Sequence, residues 1–319
     1  MDHPELVTIF GGSGFVGTQV VQLLARAGYR VRVAVRRPDL AGHVRPLGNV
    51  GQIVPVQANL RNKESVQAAV KGAAIVINLA AIGIEKGKQR FRAVNVMGAR
   101  NVAEAARDAG AERLIQMSVL GASEDSPSLF NRSRGLGEAE VPKLFPSAVI
   151  FRASIMFGVG DDFFNMLGQL SRVLPVMPLF GGKTKFQPVY VGDVAEAIAA
   201  AVDGYAKPGA IYELGGPDVL ENRKLTEMVL HYANRKNPIL PLPAAVGALL
   251  AIPMGLMPKP MLTADRVRLL GIDNVVSGAA VSEGRTLAAF GITPRPLEAV
   301  LPSYLWRFSQ NGQFDRQTA

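Results

Sequence analysis

The sequence predicts an α/β chain: a doubly wound parallel sheet with a smaller, interleaved C-terminal α/β part. Three observations carry that prediction. First, the apolar run Leu6-Val7-Thr8-Ile9-Phe10 leads straight into Gly11-Gly12-Ser13-Gly14-Phe15-Val16-Gly17, which opens a helical pattern through Val20, Val21, Leu23 and Leu24 and ends near Gly28. Second, β-rich runs alternate with helical patterns at the spacing of βαβ units, which makes the sheet parallel. Third, Phe186-Gln187-Pro188-Val189-Tyr190-Val191 precedes an alanine-rich helix, Ala195 to Val202, suited to packing back on the sheet. The chain thus leaves the core and returns to it. Residues 1–155 plus about 188–205 are expected to form a Rossmann-type nucleotide-binding domain. Residues from about 156 to 187 and from about 206 to 310 are expected to form the smaller part, with 311–319 a flexible tail.

The strand, glycine turn and helix start are in register, and the order has a physical meaning. Gly11 and Gly14 lack the Cβ atoms that would block backbone approach to a pyrophosphate, and Gly17 allows close helix packing. Free N–H groups at the helix N-terminus then hold the charge. The spacing is GxxGxxG, one residue longer in its first gap than the usual fingerprint, and the strand-to-helix context is what supports it. Gly11, Ser13, Gly14, Phe15, Val16 and Gly17 are therefore the expected pyrophosphate set.

The second strand, Arg30 to Val35, runs into Arg36-Arg37-Pro38. In a dinucleotide fold an acidic residue near this place holds the ribose 2′-hydroxyl. Arginines here pair instead with a 2′-phosphate, so NADP(H) is expected in preference to NAD(H); the alternative is two solvated loop arginines. Gln52 to Val56 reads as a third strand, followed by Asn59 and Leu60, a short helix from Lys63 to Lys71, and the buried run Ile75 to Ala80. A long helical pattern spans Phe91 to Ala109, and Arg113 to Ser118 is a fifth strand. Ligands in such sheets bind at strand carboxyl ends, so Asn59, Leu60, Leu79, Ala80, Ala81, Met117 and Ser118 are expected at the cofactor cleft. Between them, Glu85 to Arg92 reads as a solvated basic loop and helix start, or a docking patch. Ala148 to Phe151 is a sixth strand.

Composition narrows the function classes. The 319 residues are 48% hydrophobic and only 19% charged, which marks a globular chain. The absence of cysteine excludes disulfides and thiolate-held metals. His3, His43 and His231 are scattered without ligand spacing, so no metal is expected. A formal charge of +9 calls for an anionic partner, but neither zinc-finger spacing nor an aromatic RNA-recognition signature accompanies it, so nucleic acid is not expected. The first strand begins within a few residues of Met1, and no targeting segment is expected. Ile239 to Pro258 is twenty residues without a charge, interrupted by Pro241, Pro243 and Pro253. Those prolines argue against a membrane-spanning helix. An exposed apolar element lying on a membrane or another subunit is expected, flanked by Lys259, Arg266 and Arg268, with burial in the smaller part as the alternative.

The glycine turn, Arg36, Asn59, the Ile75 to Ala81 run, Ser118, the Arg152 to Asp161 stretch and Gln187 to Val191 together resemble the extended or atypical short-chain dehydrogenase/reductases over nearly the whole chain. Arg45 to Gln52, Lys185 to Val191 and Leu262 to Val267 narrow the resemblance to the short-chain-dehydrogenase-like accessory subunits of respiratory complex I, the NADH:quinone oxidoreductase. That resemblance implies a tightly held NADPH and complex I subunits near the membrane interface as partners. It also implies peripheral contact with acidic lipid on the cytoplasmic face of a bacterial inner membrane, or on the matrix side of a mitochondrial one. Enzymes of the superfamily use a Ser, Tyr and Lys set, the last two spaced as YxxxK. At the matching place this chain reads Phe130-Asn131-Arg132-Ser133-Arg134, and the serine position reads Val119 or Leu120. Phe130 has no hydroxyl to donate or accept a proton. Arg134 keeps a donor for the nicotinamide ribose but titrates too high to shuttle protons. Tyr232-Ala233-Asn234-Arg235-Lys236 satisfies YxxxK by chance, on a helix expected from about Leu225 in the smaller part. The resemblance thus implies a non-catalytic accessory subunit holding NADP(H) as a structural ligand. The alternatives are an active NADP-dependent reductase or isomerase, with Asp161, Asp162 or Tyr190 as its acid, and a soluble NADP-sensing regulator.

Overall fold

The structure, a computed structural model, describes residues 5–254, 262–310 and 312. His3, Lys259, the last part of the Ile239 to Pro258 segment and nearly all of the expected tail lie outside the described residues.

Six strands arise where the sequence has short runs of Val, Ile, Leu and Phe: β1 (Leu6–Phe10), β2 (Arg30–Val35), β3 (Ile53–Gln57), β4 (Ile75–Asn78), β5 (Arg113–Val119) and β6 (Val149–Ala153). A seventh, Ile211–Leu214, completes one parallel sheet in the order Ile211–Leu214, β6, β5, β4, β1, β2, β3. The strand order reverses at β1, with Val7 opposite Val31 on one side and Ile75 on the other. Strands covered on both faces read as continuous apolar runs, which is the pattern of Val7, Ile9, Ile75 and Ile77, all fully buried. Helices α1 (Phe15–Arg26), α2 (Lys63–Val70), α3 (Met97–Asp108) and α4 (Leu129–Leu144) make the crossovers. Below the sheet lies one core of Val66, Val70, Val76, Val102, Ala106 and Leu114.

Two compact units result. The first comprises Met1–Ala153, Val191–Leu214 and Ser277–Thr293; the second comprises Ser154–Tyr190, Gly215–Val276 and Pro294–Ala319. The expected boundaries fall short in two places. Ile211–Leu214 pairs with β6 residue for residue, Ile211 opposite Ile150, and so belongs to the sheet. Residues 277–293 join it because Phe290 packs on Phe151 and Tyr212, ring centroids 5.7 and 4.8 Å apart. The expected helix from Phe91 to Ala109 is also divided: Arg92–Val96 forms a π-helical turn before α3. Its cause is Asn95, whose side chain accepts from Ile82 N and donates to Ile82 O and Ser133 Oγ. Helix α6 (Val191–Val202) begins four residues before the expected Ala195.

The second unit has its own core, in which Phe164 and Leu167 of α5 (Phe163–Val173) meet Leu225 and Val229 of α7 (Asn222–Tyr232), with Leu301 and Leu305. Asp161 organises the start of α5. Its carboxylate accepts from the backbone of Gly158, Phe164 and Asn165 and from the Tyr304 hydroxyl. Tyr232, of the YxxxK match expected to be chance, packs against this core. The apolar segment forms a short strand, Ile239–Pro241, beside Met177–Leu179, then helix α8 (Ala244–Met254). Among the described residues no helix is long and apolar enough to cross a membrane.

Candidate functional site

The carboxyl ends of β1 to β4 open on a cleft of about 410 Å³ in the first unit. Gly11 follows β1 in the left-handed region, φ +80°, where a Cβ would meet the Ala80 main chain at 3.0 Å. The turn and the loop after β4 thus approach within a distance only glycine permits. Gly17 acts one turn later. A Cβ there would lie 2.2 Å from the Gly11 carbonyl oxygen, so the glycine lets α1 start directly against the turn itself. Gly14 caps α1 with no side-chain hydrogen bond, and the first turn holds no acid, so its leading N–H groups stay unspent for an anion. His43 adds a contact from outside the motif, Nε2 lying 3.2 Å from the Ser13 carbonyl.

At the far end, Arg36 and Arg37 follow β2 and line the same cleft. Arg37 is occupied: it grips Asp39 through Nε and Nη2 at 2.7 to 3.2 Å, which holds that carboxyl below its ordinary pKa. Arg36 has no ion pair or hydrogen bond among the described residues. Asn59 is fixed by its own turn, its Oδ1 accepting from Arg61 N and its N–H donating to Ser65 Oγ. Arg61 lines the cleft and donates to the Lys88 carbonyl at 3.3 Å, drawing in the basic loop whose Gln89 also lines it. Arg61 and Gln89 escape sequence reasoning, although Arg61 stands two places after Asn59, within reach of the strand-end rule. Among the described residues, none that lines the cleft is Asp, Glu, Tyr, Lys or His. The cavity presents arginines, amides and backbone N–H groups.

Of the expected site residues, Gly11, Ser13, Gly14, Arg36, Arg37, Asn59, Leu60, Leu79, Ala80 and Ala81 line this cleft together. Phe15, Val16 and Gly17 form the start of α1 behind it. Met117, Ser118 and Arg134 do not line it. Ser118 is 1% and Arg134 5% exposed, and Ser118 Oγ and Arg134 Nε are buried without a hydrogen bond. Arg134 instead donates through Nη2 to the Met117 carbonyl. That carbonyl also receives Gln116 Nε2 at 2.7 Å, and Gln116 in turn accepts from Asn78 Nδ2 at 2.9 Å. A polar string therefore ties α4 to the ends of β5 and β4. Burial lowers the Arg134 pKa to about 10, opposed by Glu138 one turn on, so the guanidinium stays charged at neutral pH. Glu138 is held bidentately by Arg152, at 2.5 to 3.2 Å, and Arg152 reaches Glu213 at 3.6 Å. Phe130, which the resemblance sets at the place of the YxxxK tyrosine, packs its ring 6.1 Å from that of Phe91. Among the described residues no cluster of His, Asp or Glu is placed to hold a metal.

Comparison with known proteins agrees with this geometry. The profile of an NAD(P)H-binding family matches residues 11–141. Over 320 residues the chain is 33% identical to the mitochondrial NADH dehydrogenase (ubiquinone) 1 alpha subcomplex subunit 9 of Arabidopsis thaliana, covering 96% of this chain and 79% of that one. The rat protein of the same name is 35% identical over 298 residues, covering 92% and 78%. In three dimensions the fold is similar to an NADPH-dependent quinone oxidoreductase of Escherichia coli solved with NADPH, at a TM-score of 0.71 and 18% identity, covering 94% of this chain and 98% of that one. With its parallel sheet, its glycine-built cleft and this likeness running almost end to end, the chain belongs to the family of the NADH dehydrogenase (ubiquinone) 1 alpha subcomplex subunit 9 proteins.

Proposed function

We propose that the protein is an accessory subunit of respiratory complex I that holds NADP(H), as NADPH, for structural purposes and turns nothing over. The observation that carries this reading is the lining of the cleft. It offers an uncapped helix N-terminus to a pyrophosphate and, to a 2′-phosphate, an Arg36 that has no ion pair or hydrogen bond among the described residues. The Phe130 and Arg134 pair supports the absence of chemistry. Phe130 has no ionisable proton, and Arg134 is buried against the Met117 carbonyl. A ligand bound only by the folded state stabilises that state by mass action, which gives the nucleotide a use without turnover. When bound, the nicotinamide would supply hydride chemistry; the residues here bind and orient.

Partners follow from the relatives, whose names make each a subunit of an NADH dehydrogenase (ubiquinone) 1 alpha subcomplex. For this chain we infer docking among subunits near the membrane interface, at the junction of the hydrophilic and membrane arms. The basic surface and the Ile239 to Pro258 segment supply a peripheral contact with acidic lipid. The compartment is the cytoplasmic face of a bacterial inner membrane, or the matrix side in a mitochondrion. Of the acids available to an enzyme reading, Asp161 is withdrawn, its carboxylate already accepting four hydrogen bonds.

The test is isolation from native membranes in mild detergent, with identification of co-purifying proteins and of extracted nucleotide. Recovery with complex I subunits and roughly one NADPH per chain is expected for a tight structural ligand. Recovery as a free protein that oxidises NADPH with a small substrate overturns the reading.

A further inference from the structure

The second unit carries a concavity of its own, about 750 Å³, between the turn that ends α5 and the loop that follows α7. Arg172, Arg235 and Lys236 line it, and among the described residues no acidic one does. Its walls are pinned: Asn237 donates through Nδ2 to the Ser171 and Leu174 carbonyls at 3.1 and 2.6 Å, and Asn234 turns the loop at φ 48°. Arg235 is held through Nε to the Phe308 carbonyl at 2.8 Å, which leaves its terminal N–H groups unspent. None of the three cations makes an ion pair among the described residues. Proximity to helix C-termini favours cations here. It does not by itself gather three around one groove without an acid.

The chain that lines this groove runs on at once into apolar surface. Leu240, two residues past Pro238, is 51% exposed; Val246 and Leu249 on α8 are 38% and 68% exposed, and Val173 on the groove wall is 69% exposed. Helix α8 is anchored on its other side, where Gly247 meets Phe180 and Val267. From Ile239 to Pro258 the sequence has no charge to disfavour an apolar medium. A cationic groove whose chain leads on into an apolar ledge matches a molecule that carries a phosphate at one end and acyl chains at the other. An acidic peptide or free phosphate would satisfy the groove and leave the ledge in water. We infer that the groove of Arg172, Arg235 and Lys236 holds the phosphate of an anionic glycerophospholipid, while Leu240, Val246 and Leu249 enter the acyl boundary of the same bilayer. This rests on the peripheral-membrane part of the reading above and names the residues that would perform it.

The experiment is co-sedimentation of the full NADPH-loaded chain with vesicles of phosphatidylcholine, alone or with about one lipid in three replaced by phosphatidylglycerol. Binding is expected only to the anionic vesicles and weakens as salt rises. At about fivefold per cation, Arg172→Gln with Arg235→Gln and Lys236→Gln weakens it about a hundredfold. Removing the same charge elsewhere, by Arg26→Gln, Lys71→Gln and Lys207→Gln, changes it by less than about threefold if the groove is specific. Leu240→Ser with Leu249→Ser weakens vesicle binding while leaving the groove's affinity for soluble glycerophosphoglycerol unchanged. Equal losses from the two charge-removing triples would mean that net charge alone attracts the membrane, and would overturn the groove. Binding of inorganic phosphate without vesicle binding assigns a free anion and overturns the lipid. Circular dichroism and NADPH affinity check folding. If the groove triple does not fold, Arg172→Glu with Lys236→Glu repeats the test on side chains that make no hydrogen bond. No other protein is present in the vesicle assay, so its failure sinks the groove alone. Failure to co-purify with complex I, with vesicle binding intact, sinks the subunit reading instead.

Discussion

Arg36 and Arg37 are neighbours of the same charge at the same cleft, yet their surroundings give them different work. Arg37 is already bound to Asp39, so a 2′-phosphate would have to compete with a carboxylate for it; Arg36 faces no such competitor. Arg36→Glu is expected to lower NADPH affinity about 10- to 100-fold, the worth of a charge-assisted hydrogen bond, with NADH affinity unchanged. Titration of nucleotide fluorescence checks it, and equal losses for both nucleotides would remove Arg36 from 2′-phosphate recognition. Asp161 poses a different residue-scale question, because two effects oppose each other there. Burial raises its pKa, and the hydrogen bonds from Tyr304, Asn165, Gly158 and Phe164 lower it; burial prevails. A raised folded pKa means that the folded state binds more protons than the unfolded chain above the ordinary aspartate value of about 4. Stability from this group is therefore full at low pH and declines as pH climbs through the folded pKa. The stability advantage of the wild type over Asp161→Asn should shrink between about pH 4 and neutrality in urea titrations. An advantage that grows over that range would show that the four donors prevail over burial.

At the scale of elements, two glycines decide how closely helices approach their supports. Gly17 seats α1 on the Gly11 turn, and Gly137 seats α4 on the π-helical turn, where a Cβ would lie 2.2 Å from the Asn95 carbonyl oxygen. In an open helix Gly→Ala gains about 1 kcal/mol of propensity. Here main-chain oxygens stand in the way, so Gly17→Ala and Gly137→Ala are expected to destabilise by about 1–3 kcal/mol in denaturant titrations, and Gly17→Ala also to abolish NADPH binding. Gly42→Ala, with open space around it, should be neutral or better. The same elements show what the sequence makes legible. β1 and β2 have the bounds expected of them, because strands buried on both faces announce themselves as unbroken apolar runs. The edge strand Ile211–Leu214 does not, since it is four residues long and carries Glu213, a charge that reads as loop until Arg152 is seen beside it. The division at Asn95 depends on partners at Ile82 and Ser133, distant in sequence, so no local pattern foretells it. In the cleft, offset from a strand's carboxyl end locates Asn59, Leu60 and Leu79 to Ala81. Offset alone does not say which way a side chain turns: Ser118 and Arg134, expected at the cofactor, are buried and do not line this cleft. Arg61 and Gln89 are polar loop residues with no periodicity to mark them.

On the scale of the whole chain, the interleaving of the two units makes the nucleotide site a matter for the entire molecule. Each piece of the second unit is joined to the next through the first: Ser154–Tyr190 connects to Gly215–Val276 by way of α6 and the edge strand, and thence to Pro294 by way of Ser277–Thr293. If the first unit unfolded alone, those two connections would become slack loops, and holding the second unit together across them would cost about 2–3 kcal/mol each. The second unit is therefore expected to unfold with the first. Its reporter is at hand, because the one tryptophan of the sequence, Trp306, lies in it. NADPH at about one hundred times its Kd adds about 2.7 kcal/mol to the folded state, which for a chain of this length raises the thermal midpoint by about 4 °C. Although the nucleotide cleft lies wholly within the first unit, the Trp306 fluorescence midpoint should climb by the same amount as the midpoint seen by circular dichroism. A Trp306 midpoint that stays in place while the other climbs would mean that the second unit holds itself together without the first, and that the nucleotide stabilises only the unit that binds it.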